Sequence, residues 1–566
     1  MSSSNAGPSK PRATVQDIHH LSPEIIIIGA GIAGSALAYS LSPYRSVLVL
    51  ERDLSEPDRI VGELLQPGGV AALDKLGMRD CLDGIDATPV EGYAVITGDR
   101  MVGVPYPALE AMVGENVSTS KGENYGQENG VNGVVEAKGE MDESAKPWHV
   151  ESRSGRKEGR SFHHGRLIAS LRRKVIEESS ATVLEATVRD LVYCEHTDRV
   201  IGVKAAFKVV KPRSTSPSGS TKDGEAGEEY ETIVKNIYAP LTIIADGCFS
   251  KFRTTRGARL PTPKTRSHFV GVILKDADLP LPRHGTVCLT PSGPVLLYQI
   301  GYEARETRML VDVKGKLPSV ADGSLKEHLL THYLPHLPAA LQGPVKDAIA
   351  TQRLRTMPNS FLPPSMQGLA SQSLSGAIMV GDAYNMRHPL TGGGMTVAFN
   401  DAVILTRMLK PGGDMGLAPG REGMEDWDRI AEGLRGWFWE RKNLSGVVNV
   451  LSMALYDLFG GSDETDLVVL REGCFRYFQL GGECVAGPVG FLSVLSPKPV
   501  MLFYHFFCVA FYSIWILLTQ GRPPTPGRPQ VKPSPTEIPG LMLFSVKVFW
   551  TACHVLLPVI WTEFKV

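Results

Sequence analysis

The run from residue 25 to residue 51 constrains this chain more than any other part of it. Four consecutive isoleucines, Ile25 to Ile28, lead straight into Gly29-Ala30-Gly31-Ile32-Ala33-Gly34, and a helical stretch from Ser35 to Leu41 leads out. The next apolar run, Val47-Leu48-Val49-Leu50, ends in Glu51. Buried strand, glycine turn, helix, strand and terminal carboxylate at this spacing predict a βαβ unit of a parallel sheet. Each residue type has a reason. Gly29 permits the tight turn, Gly31 lets the backbone approach a pyrophosphate, and Gly34 lets helix and strand pack closely. The helix start offers unpaired N–H groups and a positive dipole end to phosphate. Glu51 sits where a carboxylate accepts hydrogen bonds from the hydroxyls of an adenosine ribose. Glycine is common here, 58 of 566 residues, so the bare G-x-G-x-x-G string is weak and its flanking strands carry the reading.

Two later segments repeat the logic. Leu241-Thr242-Ile243-Ile244-Ala245 is a strand running into Asp246-Gly247. Ala377-Ile378-Met379-Val380 runs into Gly381-Asp382, followed by Pro389-Leu390-Thr391-Gly392-Gly393-Gly394-Met395 and a helical stretch from Thr396 to Leu405. That second glycine-rich helix start is a second anion-binding nest. One nest serves a pyrophosphate; a second suits a flavin, whose ring gains negative charge on reduction. Asp382 is then expected at the ribityl or ribose region, and the backbone of Gly393, Gly394 and Met395 at the reduced ring. An early glycine fingerprint, a central Asp-Gly and a late Gly-Asp form a ground plan that resembles the FAD-dependent hydroxylases of the p-hydroxybenzoate hydroxylase type. No second G-x-G-x-x-G serves a nicotinamide dinucleotide, so electrons are expected from NADPH, by a transient visit or through a partner reductase.

Composition removes other classes. Lys plus Arg is 59 and Asp plus Glu is 60, so no basic surplus exists to neutralise a nucleic-acid backbone. With 43% hydrophobic residues the chain can bury a core. The eight cysteines are scattered without a C-x-x-C, which fits a reducing compartment and argues against a disulfide scaffold or zinc knuckle. His163-His164 reads as a strand pair pointing to opposite faces, and no metal site is expected. Cys474 and Cys484 read as ordinary thiols, and Trp437 and Trp439 as either packing or interfacial surface. The polar N-terminus has no apolar stretch of the signal-peptide type. The C-terminus differs. Val500 to Leu518 and Leu541 to Trp561 are long apolar, aromatic-rich runs separated by a seven-proline linker, Pro523 to Pro539. The first would make a helix about 28 Å long, close to the hydrocarbon thickness of a bilayer. Membrane attachment is expected, with spanning, hairpin and one-leaflet insertion all open. Segments 114–146 and 211–229 read as solvated loops. Short β-rich runs between His268 and Val313, with a Pro-Ser-Gly-Pro turn at 291–294, predict an antiparallel meander.

Longer motifs narrow the class. These are Glu51-Arg52-Asp53-Leu54, Glu56-Pro57-Asp58-Arg59-Ile60-Val61-Gly62-Glu63, Leu65-Gln66-Pro67-Gly68-Gly69, His163-His164-Gly165-Arg166 and Ser250-Lys251-Phe252-Arg253. Met357-Pro358, Ser360 to Ser365, Gly381 to Met395, Gly481 to Pro488 and Leu495-Ser496-Pro497 follow. Over residues 22 to 520, apart from the two loops, the chain resembles the squalene epoxidase (squalene monooxygenase) family. The resemblance implies an α/β fold: a Rossmann-like FAD-binding domain interleaved with an antiparallel-sheet substrate domain, plus C-terminal membrane-associated helices. The expected division is a disordered 1–21; FAD-binding parts at 22–90, 161–258 and 366–410; substrate-domain parts at 91–160 and 259–365; a helical region at 411–496; and membrane-associated helices at 497–566.

The family pattern further places FAD on Gly31, Ile32, Glu51, Arg52, Arg59, Arg166, Asp382 and Met395, with the backbone near Val188. Tyr93 matches a tyrosine that the family needs for activity, with Gln66 as its hydrogen-bond partner, and is assigned to positioning rather than proton transfer. Pro389, Leu390, Phe475 and Phe478 are expected in the apolar substrate wall. The implied reaction is epoxidation of squalene to 2,3-oxidosqualene with dioxygen, through a flavin hydroperoxide, at the endoplasmic reticulum membrane with a cytosolic catalytic domain. The partners implied are squalene, dioxygen, an NADPH-dependent flavoprotein reductase and lipid, with no nucleic acid. Two rival readings are a membrane-associated flavin reductase of isoprenoid double bonds and a non-catalytic regulator on the same fold. A paralogue of specialised metabolism acting on another polyprenoid is a further variant.

Overall fold

The four isoleucines lie at the centre of a five-stranded parallel sheet. In this computed structural model, which describes residues 21–107, 156–210, 230–256, 261–369, 374–460, 464–524 and 529–565, Ile25–Ile28 pairs with Leu241–Ile244 on one side and Val47–Glu51 on the other. Ala377–Met379 and Thr182–Glu185 complete the sheet at its edges. All four isoleucines are buried, as a strand covered on both faces requires. The fingerprint, the Asp-Gly turn and the Gly-Asp turn thereby leave adjacent strands at the same end. The helices that follow the two nests, Ile32–Leu41 and Gly394–Leu409, pack on one another, with Ser40 Oγ 2.6 Å from Thr406 Oγ1.

A second sheet of seven strands follows the order Arg355–Phe361, Lys264–Lys275, Glu306–Lys314, Gly293–Gly301, His284–Thr290, Gly92–Thr97, Arg100–Pro105. The expected meander needs correction. The segment 284–314 does form one, but Lys264–Lys275 pairs beyond Glu306–Lys314 and not with the strand that follows it. The place beside His284–Thr290 is taken by Gly92–Thr97, in parallel, and a local pattern carries no information about so distant a partner. One face of this sheet is closed by the helices Ser324–His332 and Ala339–Thr351, whose Leu325, Leu329, Leu341 and Val345 pack on Val270, Val272 and Leu297.

A helical cap follows. Trp427–Phe459 runs 33 residues, then come Thr465–Gln479 and Glu483–Leu492. Trp437 is fully buried and Trp439 is 46% exposed, so one indole packs and the other faces out. Pro499–Gln520 and Ile538–Phe564 are both long and apolar enough to cross a membrane, and they pack on each other and on the cap. All eight cysteines are free thiols. The histidine pair is not in a strand: His163 precedes and His164 opens the helix His164–Glu178. His163 Nε2 lies 2.8 Å from Glu306 Oε2, and His164 Nδ1 lies 2.8 Å from the Gly62 carbonyl. The predicted loops 114–146 and 211–229, and the N-terminus up to residue 20, lie outside the described residues.

Candidate active site

The fingerprint glycines are required by contact. Gly29 adopts φ +98°, and a Cβ there would lie 2.7 Å from the Ala245 carbonyl oxygen. A Cβ on Gly34 would lie 1.9 Å from the Gly29 carbonyl oxygen, an impossible distance. Around Gly31 nothing lies within 4 Å of a Cβ, so this face of the turn is open. The helix Ile32–Leu41 starts at Gly31 with no side-chain cap and no acid in its first turn, leaving its N–H groups and dipole for an anion. The helix Gly394–Leu409 starts at Gly393 in the same way, and the space at Gly394 is likewise open.

Glu51 reaches back across this turn. Its Oε2 accepts from the Ala30 N–H at 2.6 Å and lies 3.4 Å from Arg172. Arg172 was not foreseen from the sequence. Its Nε donates to the Ala30 carbonyl at 2.9 Å, and its Nη1 donates to the carbonyls of Asp53 and Ser55 at 3.0 and 2.9 Å. A signal existed: Leu167, Ile168, Leu171, Arg172 and Val175 form one buried stripe, and a charged residue on such a stripe must have partners.

Asp246 is half-buried with Oδ1 orphaned, and burial pushes its carboxyl up while the charge of Arg253 pulls the other way. Asp382 opens to solvent yet lies deep enough that burial raises its carboxyl, with Arg387, Arg59 and Arg253 pulling the other way. Arg253 cross-links the two turns. Its Nη2 donates to the carbonyls of Asp382 at 2.7 Å and Gly247 at 3.1 Å, and its Nε donates to that of Ala383 at 2.9 Å. Arg52 and Arg59 are exposed; Arg166 is half-buried beside Asp86 at 3.4 Å; Val188 is packed in the core beside the parallel sheet. Two open helix starts, an orphaned carboxylate oxygen and a second carboxylate at the same end of the parallel sheet fit a dinucleotide carrying a ring that takes negative charge.

Tyr93 and Gln66 meet as expected. Gln66 is fully buried; its Nε2 donates to the Tyr93 hydroxyl and, at 2.8 Å, to the Thr391 carbonyl beside the second nest. Its Oε1 accepts from Tyr106 at 2.6 Å, a residue that no sequence motif marked. The two tyrosine rings stand edge to face, 5.9 Å apart. Burial raises both phenols, so Tyr93 stays protonated. Tyr93, Tyr106, Val447, Leu451 and Phe478 share one apolar cluster that continues into Leu502, Ala510, Leu541 and Val548 of the two C-terminal helices. Pro389 and Leu390 are half-buried, and Leu390 packs beside Ile60, Phe269 and Leu296. Phe475 stands apart from the Tyr93 cluster: the Arg100 guanidinium, bound to Glu472 at 2.8 and 2.7 Å, lies 4.8 Å from its ring centroid.

The fold is an FAD-binding Rossmann-like fold with an antiparallel-sheet domain, shared with solved flavin-dependent enzymes. The chain resembles PqsL of Pseudomonas aeruginosa, described as a probable FAD-dependent monooxygenase, at TM-score 0.51 and 16% identity, covering 78% of this chain and 97% of that one. It resembles the flavin-dependent brominase Bmp2 at TM-score 0.57 and 13% identity, covering 87% and 99%. The squalene epoxidase family profile matches residues 238–526. Squalene epoxidase erg1 of Aspergillus fumigatus is 40% identical over 97% of this chain and 96% of its own length. Squalene monooxygenase of Mus musculus is 39% identical over 96% of this chain and 78% of its own. The chain belongs to the squalene epoxidase family. It is an enzyme, and its chemistry is FAD-dependent epoxidation of a squalene-like substrate.

Proposed function

We propose that this chain places one atom of dioxygen on the terminal double bond of squalene, giving 2,3-oxidosqualene, while the other atom leaves as water, with electrons passed from NADPH through a flavoprotein reductase. The carrying observation is the position of Tyr93. It is held by Gln66 beside the second nest and lies in an apolar cluster continuous with the two C-terminal helices. FAD, when bound, supplies the activation of oxygen. The open helix starts at Gly31–Ile32 and Gly393–Met395 would hold its phosphates and ring, Glu51 its ribose and Asp382 its ribityl chain, with Arg52, Arg59 and Arg166 around the cleft. The protein's remaining work is to orient and to keep dry. Tyr93 keeps its proton and accepts from Gln66, so its own O–H is left to orient a group beside the nest. Val447, Leu451, Phe478 and Leu390 supply apolar wall for a hydrocarbon without a polar handle.

The C-terminal pair suits a substrate that arrives from lipid. Trp550, Trp561, Val500, Phe511 and Trp515 are each more than half exposed. The buried face is tied to the body where Glu563 lies 2.7 Å from Lys442, and Lys547 on its flank lies 3.3 Å from Asp466. A helix fastened along its length on one side is in contact with lipid only on the other. We infer that the pair lies against one leaflet, with the catalytic body on the cytosolic face of the endoplasmic reticulum, a reading supported by its packing on the helical cap. The test is the full chain with a flavoprotein reductase, NADPH, squalene vesicles and ¹⁸O-labelled dioxygen. Expected is 2,3-oxidosqualene with one labelled oxygen. A saturated, unlabelled product would establish the reductase reading, and a colourless protein without turnover the regulator reading.

A further inference from the structure

The far end of the outermost helix is wired into the second nest. Glu563, one residue before the end of Ile538–Phe564, is fully buried. Its Oε2 lies 2.7 Å from Lys442 Nζ, and its Oε1 accepts from Asn449 Nδ2 at 2.8 Å. Lys442 and Asn449 are buried residues of the Trp427–Phe459 helix. Asn449 Nδ2 donates a second time, to Asn385 Oδ1 at 3.2 Å, and that oxygen also accepts from Arg387 at 2.8 Å and Arg441 at 3.4 Å. Asn385 belongs to the Gly-Asp turn, for its N–H donates to the Gly381 carbonyl at 2.9 Å. Arg441 grips Asp401, on the helix that starts at Gly394, through two bonds of 2.8 Å. A single asparagine thus separates the end of the C-terminal helix from the Gly-Asp turn, and Asn385 with Arg441 extends the chain to the helix that starts at Gly394.

A helix that needed only an anchor would be served by apolar side chains, as Leu541, Val548 and Leu556 already serve this one. A buried ion pair is costly to assemble and is a poor way to gain stability, but losing one partner leaves the other charge stranded. Seating of Glu563 and placement of the Asn385 turn are therefore linked, because Asn449 Nδ2 holds both and neither can shift without breaking one of its two bonds or stranding Lys442.

We propose that Glu563 is a positioning residue that couples the seating of the lipid-facing helix to the affinity of the nest for FAD. The inference rests on the cofactor and membrane readings above. Linkage is reciprocal, so lipid binding tightens FAD and FAD tightens the helix.

The experiment measures FAD binding, by quenching of flavin fluorescence, to full-length protein on phospholipid vesicles. Glu563→Gln and Asn449→Ala are expected to weaken FAD by on the order of tenfold, within the usual range of coupling between sites. Asp466→Asn is expected to leave FAD affinity unchanged, since it removes only the contacts to Lys547 and Thr551 near the middle of the helix and leaves Glu563 seated on Lys442 and Asn449. If Glu563→Gln fails to fold, Lys442→Met/Glu563→Met carries the test, because it removes both charges together while Asn449 still loses its acceptor. Wild-type affinity in the Glu563 and Asn449 variants, or equal weakening by Asp466→Asn, overturns the coupling. Failure of the unaltered protein to bind FAD instead overturns the cofactor reading beneath it.

Discussion

Gln66 has little freedom left. Both of its neighbouring tyrosines can donate or accept, but the Thr391 carbonyl can only accept, so it decides which end of the amide faces the nest. With Nε2 turned to Thr391, the same group donates to Tyr93, and Tyr106 must donate to Oε1. The hydroxyl of Tyr93 is thus oriented from behind by three residues drawn from distant segments. Tyr93→Phe leaves the Thr391 and Tyr106 bonds intact and removes one buried bond, worth about 1 to 2 kcal/mol. Expected is an epoxidation rate lower by on the order of tenfold or more at unchanged circular dichroism. An undiminished rate would remove Tyr93 from the chemistry while leaving family membership untouched.

The strand–turn–helix that opens the chain is the least tolerant element. Gly34 packs its Cα against the carbonyl of Gly29, with Ala245 of the neighbouring strand next in line. Gly34→Ala must push the helix off the sheet, a strain of about 1–3 kcal/mol, and the displaced helix start is the one aimed at phosphate. We expect a folded, colourless protein whose FAD binding is lost and is not restored by excess FAD. A yellow Gly34→Ala protein with ordinary affinity would show that this helix start does not hold the cofactor. Gly31→Ala meets no such obstacle within the protein, so any effect there reports on the ligand alone.

Across the whole molecule, the Trp427–Phe459 helix of the cap packs both on the last helix and on the helix that starts at Gly394. Leu543, Val546, Trp550 and Trp561 stand on one face of the last helix, 66% to 76% exposed. An apolar surface of this kind is unfavourable in water and marks a binding face. Each of these aromatics contributes about 1.5–3 kcal/mol when buried in lipid. Trp550→Glu/Trp561→Glu is expected to release the folded protein from phospholipid vesicles in flotation and to make its FAD affinity independent of added vesicles, because the helix no longer seats on lipid. Vesicle binding equal to that of the unaltered chain would place the membrane face elsewhere.

Local order was legible before any coordinates. The fingerprint, the Asp-Gly and Gly-Asp turns, the two apolar C-terminal runs and the pairing of Gln66 with Tyr93 are carried by residues close in sequence or by motif strings of the family. The partners that complete the site were not legible. Arg172 looks like one more solvated cation until its helix is seen to turn it inward, and Arg253, Tyr106 and Glu563 gain meaning only through carbonyls and amides far away in the chain. The strand order of the large sheet failed for the same reason, since Gly92–Thr97 enters it from a remote segment. Periodicity and turn chemistry act over a few residues, and they settled which elements form and what the cleft is built to hold. Which side chains face one another across it depends on how buried charges and hydrogen-bonding groups find partners once water is excluded, and only the assembled structure decides that.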